Sequence, residues 1–505
     1  MGQEFWVNIM IKQNINELLN YALNTNLIHE ADVDYVANQL LDLLKVSEFE
    51  FVHISPERNL AEILLAISDY AFENQIITTK TIDEYDLFDT KVMGLLIPRP
   101  TEVNAKFTEL YMSDPRFATD YFYEMSKASN YIRVDRIAKD KQWQVETTYG
   151  NLDLTINLSK PEKDPQTIAL AKSLPKSGYP QCLLCKENVG YAGNLAHPAR
   201  QNHRIIPVTL ADERWYLQYS PYVYYNEHCI MLKEEHEPMA VSKATFSRIL
   251  SFVDQFKHYF AGSNADLPIV GGSILTHDHF QGGAYHFAMD SAKVIETFKV
   301  ANYENIDVAL LHWPLTTLRL KGDDIVELAN LGEHILNKWR GYSDEELGIH
   351  AFTGETPHNT ITPIARYQNG KFELDLVLRN NRTTLEFPDG IFHAHPRYHH
   401  LKKENIGLIE VMGLAILPGR LVEELAVLKE ALLKQDCEIL AAAGLEMHDH
   451  WYRELTPFAS GDETKVMQLI ERSIGQKFAK ILACCGVYKL DEAGLAGVKR
   501  FLEAV

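Results

Sequence analysis

Gly271-Gly272-Ser273-Ile274-Leu275-Thr276-His277-Asp278-His279-Phe280-Gln281-Gly282-Gly283 is the stretch on which the reading of this 505-residue chain turns. A His-x-His pair on an extended segment projects both rings to one side, so one can be fixed by a neighbour while the other reacts. An imidazole attacks phosphorus well when it is neutral, held in one tautomer and aimed opposite the leaving group. Glycine pairs on either side let the backbone approach a phosphate and donate amide hydrogens. Gln281 lies two residues after His279 on the same face, and its amide is a neutral donor for a phosphoryl oxygen. His279 is thus the candidate nucleophile and Gln281 its partner. A structural or metal-binding pair is the competing reading, and the chain supplies a control. His448-Asp449-His450 repeats the tripeptide without flanking glycines, with Tyr452 in place of the glutamine, and reads as surface or structural.

Working outward, the pattern changes twice. Before residue 140 the apolar positions follow a helical period: Ile15, Leu18, Leu19, Ala22 and Leu23, then Val33, Val36, Leu40, Leu43 and Leu44, then Leu60 to Ala71. Alternation replaces it at Trp143, Val145 and Thr147, with a turn at Gly150-Asn151 and a second run from Leu152 to Leu158. Beyond the polar stretch Lys160 to Lys176, Trp215 to Tyr225 and Cys229 to Leu232 read as strands, and Phe246 to Phe260 as an amphipathic helix. Tyr285 to Met289 reads as a strand leaving the histidine loop, Leu310 to Leu320 as a strand, and Asp324 to Trp339 as a helix. Phe372 to Leu378 alternates after an Asn369-Gly370 turn, Ile406 to Leu417 is a buried strand, and the chain is helical from Leu421. Strands followed by helices, rather than strict alternation, give an α+β fold with antiparallel sheets. The divisions expected are a helical accessory region at 1–140, a catalytic half at 141–305 and a second half at 306–505.

The formal net charge of −20 leaves no excess of cations to displace counterions, so nucleic acid is not an expected partner. A small phosphorylated ligand needs only a few local basic groups. Arg200 and Arg204, just before the first core strands, are candidates for clamping phosphates, with solvated surface arginines as the alternative. A carboxylate can accept from both ribose hydroxyls, which makes Glu227 a candidate for the sugar and Asn226 for its rim or a phosphate; a plain turn pair is the alternative. No apolar run is long enough for a membrane span and no signal peptide is visible, so a reduced cytoplasm is the expected location. Six cysteines in a chain this long are not a disulfide framework. Cys182-Leu183-Leu184-Cys185 has spacing that serves zinc, redox and haem chemistry. Redox is disfavoured by the lack of a surrounding βαβ pattern, and haem by the lack of a histidine after Cys185.

His-x-His-x-Gln in a glycine frame resembles the transferase branch of the histidine-triad superfamily, whose hydrolases carry a third histidine where Gln281 stands. Within it, the chain is similar to the galactose-1-phosphate uridylyltransferases. Cys182-x-x-Cys185, Val223 to Glu227, His236, His393-Ala394-His395 and Lys403 to Glu410 match family segments in order. The better-known branch covers about Tyr179 to Arg420, and a longer bacterial branch covers the whole chain. Two departures stand in the central loop: an extra residue between Ser273 and His277, and Asp278 where the family has proline.

The resemblance implies two histidine-triad-like halves of antiparallel sheet and helix. It implies zinc held by Cys182, Cys185, His236 and His277, and a second metal, iron or zinc, held by Glu296, His358, His393 and His395. It places Ser273 at the substrate and Lys403 at the hexose phosphate of a neighbouring subunit, hence a homodimer. It implies a ping-pong reaction in which His279 takes a uridylyl group from UDP-glucose and passes it to galactose 1-phosphate, with a backbone carbonyl orienting the ring. The alternatives are another nucleotidyltransferase or a phosphorylase of that superfamily, acting on a dinucleoside polyphosphate or a different sugar nucleotide, or a zinc-stabilised scaffold.

Overall fold

The early helical period becomes α1 (Gly2–Asn24), α2 (Val33–Leu44), α3 (Leu60–Glu73), α4 (Ile82–Gly94), α5 (Pro100–Ser113), α6 (Pro115–Ala128) and the short α7 (Val134–Ile137). These come from a computed structural model that describes residues 2–159, 178–272 and 274–505. Local chemistry sets the helix starts. Asn59 accepts from the Glu62 amide at 3.0 Å while Glu62 accepts from the Asn59 amide at 2.9 Å, a reciprocal cap, and α5 and α6 each begin with proline.

The first alternating segment forms the hairpin β1 (Lys141–Thr147) and β2 (Gly150–Ile156). Its turn is Thr148-Tyr149, two residues earlier than the sequence suggests, because Gly150 already pairs with Thr147. Next come β3 (Ile206–Leu210), β4 (Glu213–Tyr219), β5 (Cys229–Lys233), α8 (Lys243–Gln255), β6 (Phe260–Gly262) and β7 (His279–Gly283). The second half brings β8 (Val294–Phe298), β9 (Asp307–Leu311), β10 (Thr317–Gly322), α9 (Ile325–Gly341), the small pair β11 (Phe352–Thr353) and β12 (Thr356–Pro357), β13 (Asn359–Gln368) and β14 (Lys371–Asn380). Finally α10 (Leu408–Val411), β15 (Leu414–Leu417), α11 (Leu421–Lys434), α12 (Glu438–Ala442), α13 (Asp449–Leu455), α14 (Glu463–Cys485) and α15 (Glu492–Glu503) complete the chain.

Ten strands form one sheet in the order β3-β4-β5-β7-β6-β13-β14-β10-β9-β8. The order is a repeat. Each half runs first, second, third, fifth and fourth strand from its outer edge, with a helix inserted after the third. The two fourth strands, β6 and β13, pair antiparallel through Gly262–Ile364 and Ala261–Ala365 and weld the halves together. A cut at residue 305 falls between β8 and β9, which pair with each other. The architecture is α+β with antiparallel sheets, and among the described strands β15 pairs parallel, onto β2.

Alternation along the strands decides which face is covered. Leu217, Met231, Phe280, Leu374 and Leu376 share one core with α8, α9 and the N-terminal helices. The opposite face of the second half is buried under α11 and α14, around Trp313, Val377, Leu428 and Phe478. In the first half Phe260 and Tyr225 extend that core, and the rest of the same face carries a small apolar cluster of Leu184, Tyr216 and Leu232.

Four expected strands differ. Trp215 to Tyr225 ends as a strand at Tyr219 and turns before β5. Leu310 to Leu320 is two strands, because His312 to Thr316, including Pro314, interrupts the ladder. Ile406 to Leu417 opens with the helical turn α10 before β15, and its apolarity reflects burial on all sides rather than strand alternation. The strand at the histidine loop is His279 to Gly283 itself; Tyr285 and Phe287 leave it as an aromatic pair 4.8 Å apart, outside any ladder.

Candidate active site

β7 is held between β5 and β6, with His279 opposite Leu232 and Gln281 opposite Ile230 and Gly262. Phe280 faces the other way and stacks on Trp215 at 4.7 Å, so a one-residue slip would put this ring where His279 and Gln281 belong. The nearby glycines answer to chain packing. A Cβ on Gly282 would lie 2.5 Å from the Phe260 carbonyl oxygen, and one on Gly271 would lie 2.5 Å from that of Ala265.

His279 is buried, and its Nδ1–H donates to the His277 carbonyl at 2.8 Å. The carbonyl can only accept, so the proton sits on Nδ1 and the lone pair on Nε2, for which no partner stands among the described residues. Burial pushes this imidazole down to about 4, so the ring is neutral at ordinary pH.

Gln281 is held from behind by a residue that the sequence reading missed. His228, at the entry to β5, reaches the Gln281 Oε1 with its Nε2 at 3.1 Å. It is buried between Tyr225 at 4.5 Å and Tyr224 at 5.6 Å. Nothing in a linear pattern links residues 228 and 281; the β5–β7 register does.

Cys182, Cys185, His236 and His277 converge, with ligand atoms all within 4.8 Å of one another. The Sγ atoms are 3.6 Å apart, Cys182 Sγ is 3.3 Å from His277 Nδ1, and Cys185 Sγ is 3.2 Å from His236 Nδ1 and 3.8 Å from His277 Nδ1. A tetrahedral zinc with Cys and His ligands needs edges of about 3.3 to 3.8 Å, so the donor set fits that metal. His277 Nε2–H donates to the Lys233 carbonyl at 2.9 Å, which turns Nδ1 toward the sulfurs. One residue therefore faces the cysteine cluster with its ring and orients His279 with its carbonyl.

Asp278 points away from both histidines. Its carboxylate lies 3.3 Å from Arg248 on α8, which also donates to Glu213 at 2.8 Å, and its backbone bonds to Glu237 and Lys233. Burial raises this carboxyl to about 6. The departure from proline thus supplies an amide donor and an acidic anchor to the helix behind the sheet.

Other expected residues fall out differently. Arg204 is buried and gives its guanidinium to the carbonyls of Pro98, Gln201 and His203 at 2.8 to 3.1 Å, so it fastens the helical region to the core and is not a phosphate clamp. Arg200 does line an open space: a cavity of about 1050 Å³ bordered by Tyr131, Leu183, Arg200, Tyr222, Tyr224 and Lys402. Through Tyr224 and His228 this cavity adjoins Gln281. Glu227 sits at a positive φ of 53°, with its carboxylate taken up by the Tyr259 hydroxyl and by Asn226 Nδ2, at 3.0 Å from the latter; the pair forms a turn, as the alternative reading had it. Asn226 and Lys403 are exposed, and Ser273 lies outside the described residues. The second metal set does not assemble. Glu296 pairs with Lys499 at 2.8 Å, both ring nitrogens of His358 are spent on Asn381 and Thr353 at 2.8 Å, and His395 packs on Phe387. His393 is buried, and among the described residues the Cys182 set is the group whose donor atoms converge closely enough to hold a metal ion. In the control tripeptide, His448 is fully buried against Glu424 at 2.9 Å, a structural role.

The buried histidines carry a prediction. Burial lowers His203 to about 3 and His228 to about 4, while in the unfolded chain both titrate near 6.5. Between those values the unfolded state binds protons that the folded state refuses, so stability falls as pH drops from about 6.5 toward 4, each imidazole contributing about 1.4 kcal/mol per pH unit. Calorimetry across pH 4.5 to 7.5 should show the unfolding midpoint falling with acid and protons being taken up; a midpoint flat over that range would refute it.

Residues 26–238 match the galactose-1-phosphate uridyl transferase N-terminal domain and residues 252–453 the C-terminal domain of the same family. The chain belongs to the galactose-1-phosphate uridyl transferase family. It is 50% identical over 495 residues to a galactose-1-phosphate uridylyltransferase of Clostridium acetobutylicum, covering 98% of this chain and 99% of that one. A Halalkalibacterium halodurans protein of the same name is 51% identical over 497 residues, covering 97% and 98%. Among solved structures, yeast Ap4A phosphorylase Apa2 aligns over 76% of this chain and 94% of its own with 12% identity and a TM-score of 0.35. The two matched family domains together take in the Cys182 cluster, His228, His279 and Gln281. The bacterial relatives extend over the helical region as well.

Proposed function

We propose that the protein transfers a uridylyl group from UDP-glucose to galactose 1-phosphate through a covalent uridylyl-His279. The observation that carries this is the His279 ring: Nδ1 is spent on the His277 carbonyl and Nε2 faces away with its lone pair free. In the first half-reaction Nε2 attacks the α-phosphorus. The N–P bond forms as the bond to the bridging oxygen breaks, and the electron pair leaves with glucose 1-phosphate. That leaving group is already a phosphate anion, so no acid need protonate it, and a neutral glutamine serves where a third imidazole would not be needed. The Gln281 amide then donates to a phosphoryl oxygen as charge builds on it. In the second half-reaction an oxygen of galactose 1-phosphate attacks phosphorus, and His279 leaves with its lone pair restored. Arg200, at the cavity wall, pairs with the diphosphate.

Cys182, Cys185, His236 and His277 would hold a zinc ion, which when bound fixes the start of the catalytic strand. A homodimer in which exposed Lys403 reaches the partner's site, in the cytoplasm, completes the reading; among the described residues no helix is long and apolar enough to cross a membrane. The test is label retention. Wild-type protein mixed with UDP-glucose labelled at the α-phosphate should keep label after denaturation, and galactose 1-phosphate should discharge it. Protein that stays unlabelled would overturn the proposal.

A further inference from the structure

We infer that His228 is a positioning residue for the transfer, fixing which end of the Gln281 amide faces the reacting phosphorus. The inference rests on the proposed reaction at His279 and concerns a residue with no part in that proposal.

A glutamine amide is nearly symmetric in shape, but its two ends are opposite in charge. An NH2 group stabilises a phosphoryl oxygen, and a carbonyl repels it. An unrestrained Gln281 would present the wrong end part of the time. His228 Nε2 lies 3.1 Å from Gln281 Oε1, and His228 Nδ1 is buried with no hydrogen-bond partner. Two arrangements fit these positions. In one, Nε2–H donates to Oε1 and an acceptor lone pair is left bare at Nδ1. In the other, the amide is flipped, its NH2 donates to Nε2, and a proton is stranded on Nδ1. A buried, unpaired donor is the rarer and costlier of the two, so the first holds. His228 then acts as a fixed donor that claims the carbonyl end and turns the NH2 outward. The ring is well suited to this. It is 3% exposed, and Tyr224 and Tyr225 lie against it at 5.6 and 4.5 Å, so it cannot swing to offer its other nitrogen. Tyr224 also borders the cavity, which puts the device at the junction of binding space and catalytic strand.

The test is a double-mutant cycle between His228→Phe, which keeps the ring and removes the donor, and Gln281→Ala. With UDP-glucose and galactose 1-phosphate, His228→Phe should lower kcat by about 10- to 100-fold with little change in KM. In the Gln281→Ala background the same substitution should cost no more than about twofold. His228→Gln, which can still donate, should recover much of the loss. Equal losses in both backgrounds, or no loss in the first, would overturn the inference, and the former is also what a merely destabilised fold would give. Nitrogen-15 spectra of the wild-type imidazoles supply a readout independent of turnover. Protonation of His228 at Nε2 is expected, and protonation at Nδ1 overturns the assignment even if transfer occurs. Failure of wild-type label transfer would instead sink the proposed reaction and leave the tautomer result standing.

Discussion

Alanine at position 279 is expected to slow uridylyl transfer by on the order of 10⁴- to 10⁶-fold, the range that deletion of a nucleophile produces. The affinity for UDP-glucose should stay within about threefold, because His279 Nε2 bonds to phosphorus only as the reaction proceeds. The reasoning starts from the backbone. His279 sits in a paired strand whose register is locked by Phe280 against Trp215, so removing the ring should leave the strand in place. What disappears is an imidazole whose tautomer is set by the His277 carbonyl, with Nε2 left to react. The measurement is paired: steady-state transfer, and retention of α-phosphate label after denaturation. Label retained by His279→Ala at the wild-type level would mean that another residue carries the uridylyl group. A residual rate within tenfold of wild type would mean that no covalent step through this ring limits the reaction.

Loss of the Cys182 cluster is expected to be the second large effect, and to show in stability and in rate together. The donor atoms of two cysteines and two histidines lie within 4.8 Å of one another, four of the pairs at 3.2 to 3.8 Å, with Cys185 and His277 buried. Purified protein should contain about one zinc per chain. Cys185→Ser should abolish it and lower the unfolding midpoint by at least about 5 °C. The rate should fall by about 10- to 100-fold, because His277 orients His279 by its carbonyl, and a ring no longer anchored lets that carbonyl drift. A full-rate, fully stable Cys185→Ser protein without zinc would show that the cluster is vestigial. A stability loss at unchanged rate would show that the metal supports the fold without shaping the catalytic strand.

The residues of these two candidate sites stood out in the sequence for the same reason: they are dense and local. The glycine frame, His279 and Gln281 fit in thirteen residues, and Cys182-x-x-Cys185 in four. Even so, Gly271 and Gly282 turned out to answer to neighbouring carbonyls, which no one-dimensional pattern distinguishes from access to phosphate. The helical region was legible from its period, and its role as a wall of the cavity was not, because Tyr131 meets Arg200 only through the packing of separate elements. Arg204 and Glu227 have residue types suited to ligands but are consumed by backbone carbonyls and by Tyr259, and two of those partners, Pro98 and Tyr259, are far away in sequence. The second metal set shows the same limit: a histidine pair at fixed spacing says nothing about where Glu296 and His358 are when the chain has folded. His228 is the instructive omission. Its neighbours in sequence are tyrosines and an acidic turn, and its meaning appears only when β5 is laid beside β7.

The weld between β6 and β13 has a bearing on how such a molecule is made. Gly262 leaves the ribosome about a hundred residues ahead of Ile364, which covers it. Until then the first half exists with an open flank, just beyond the strand that bears His279. The repeat therefore matures from its centre last: each half can close its outer strands early, but the inner boundary waits for the second copy. Interruption of synthesis in that interval leaves a nearly finished first-half sheet with an unpaired edge, the sort of surface on which chains join one another. In this protein the later half is the guardian of the earlier one as much as its repetition.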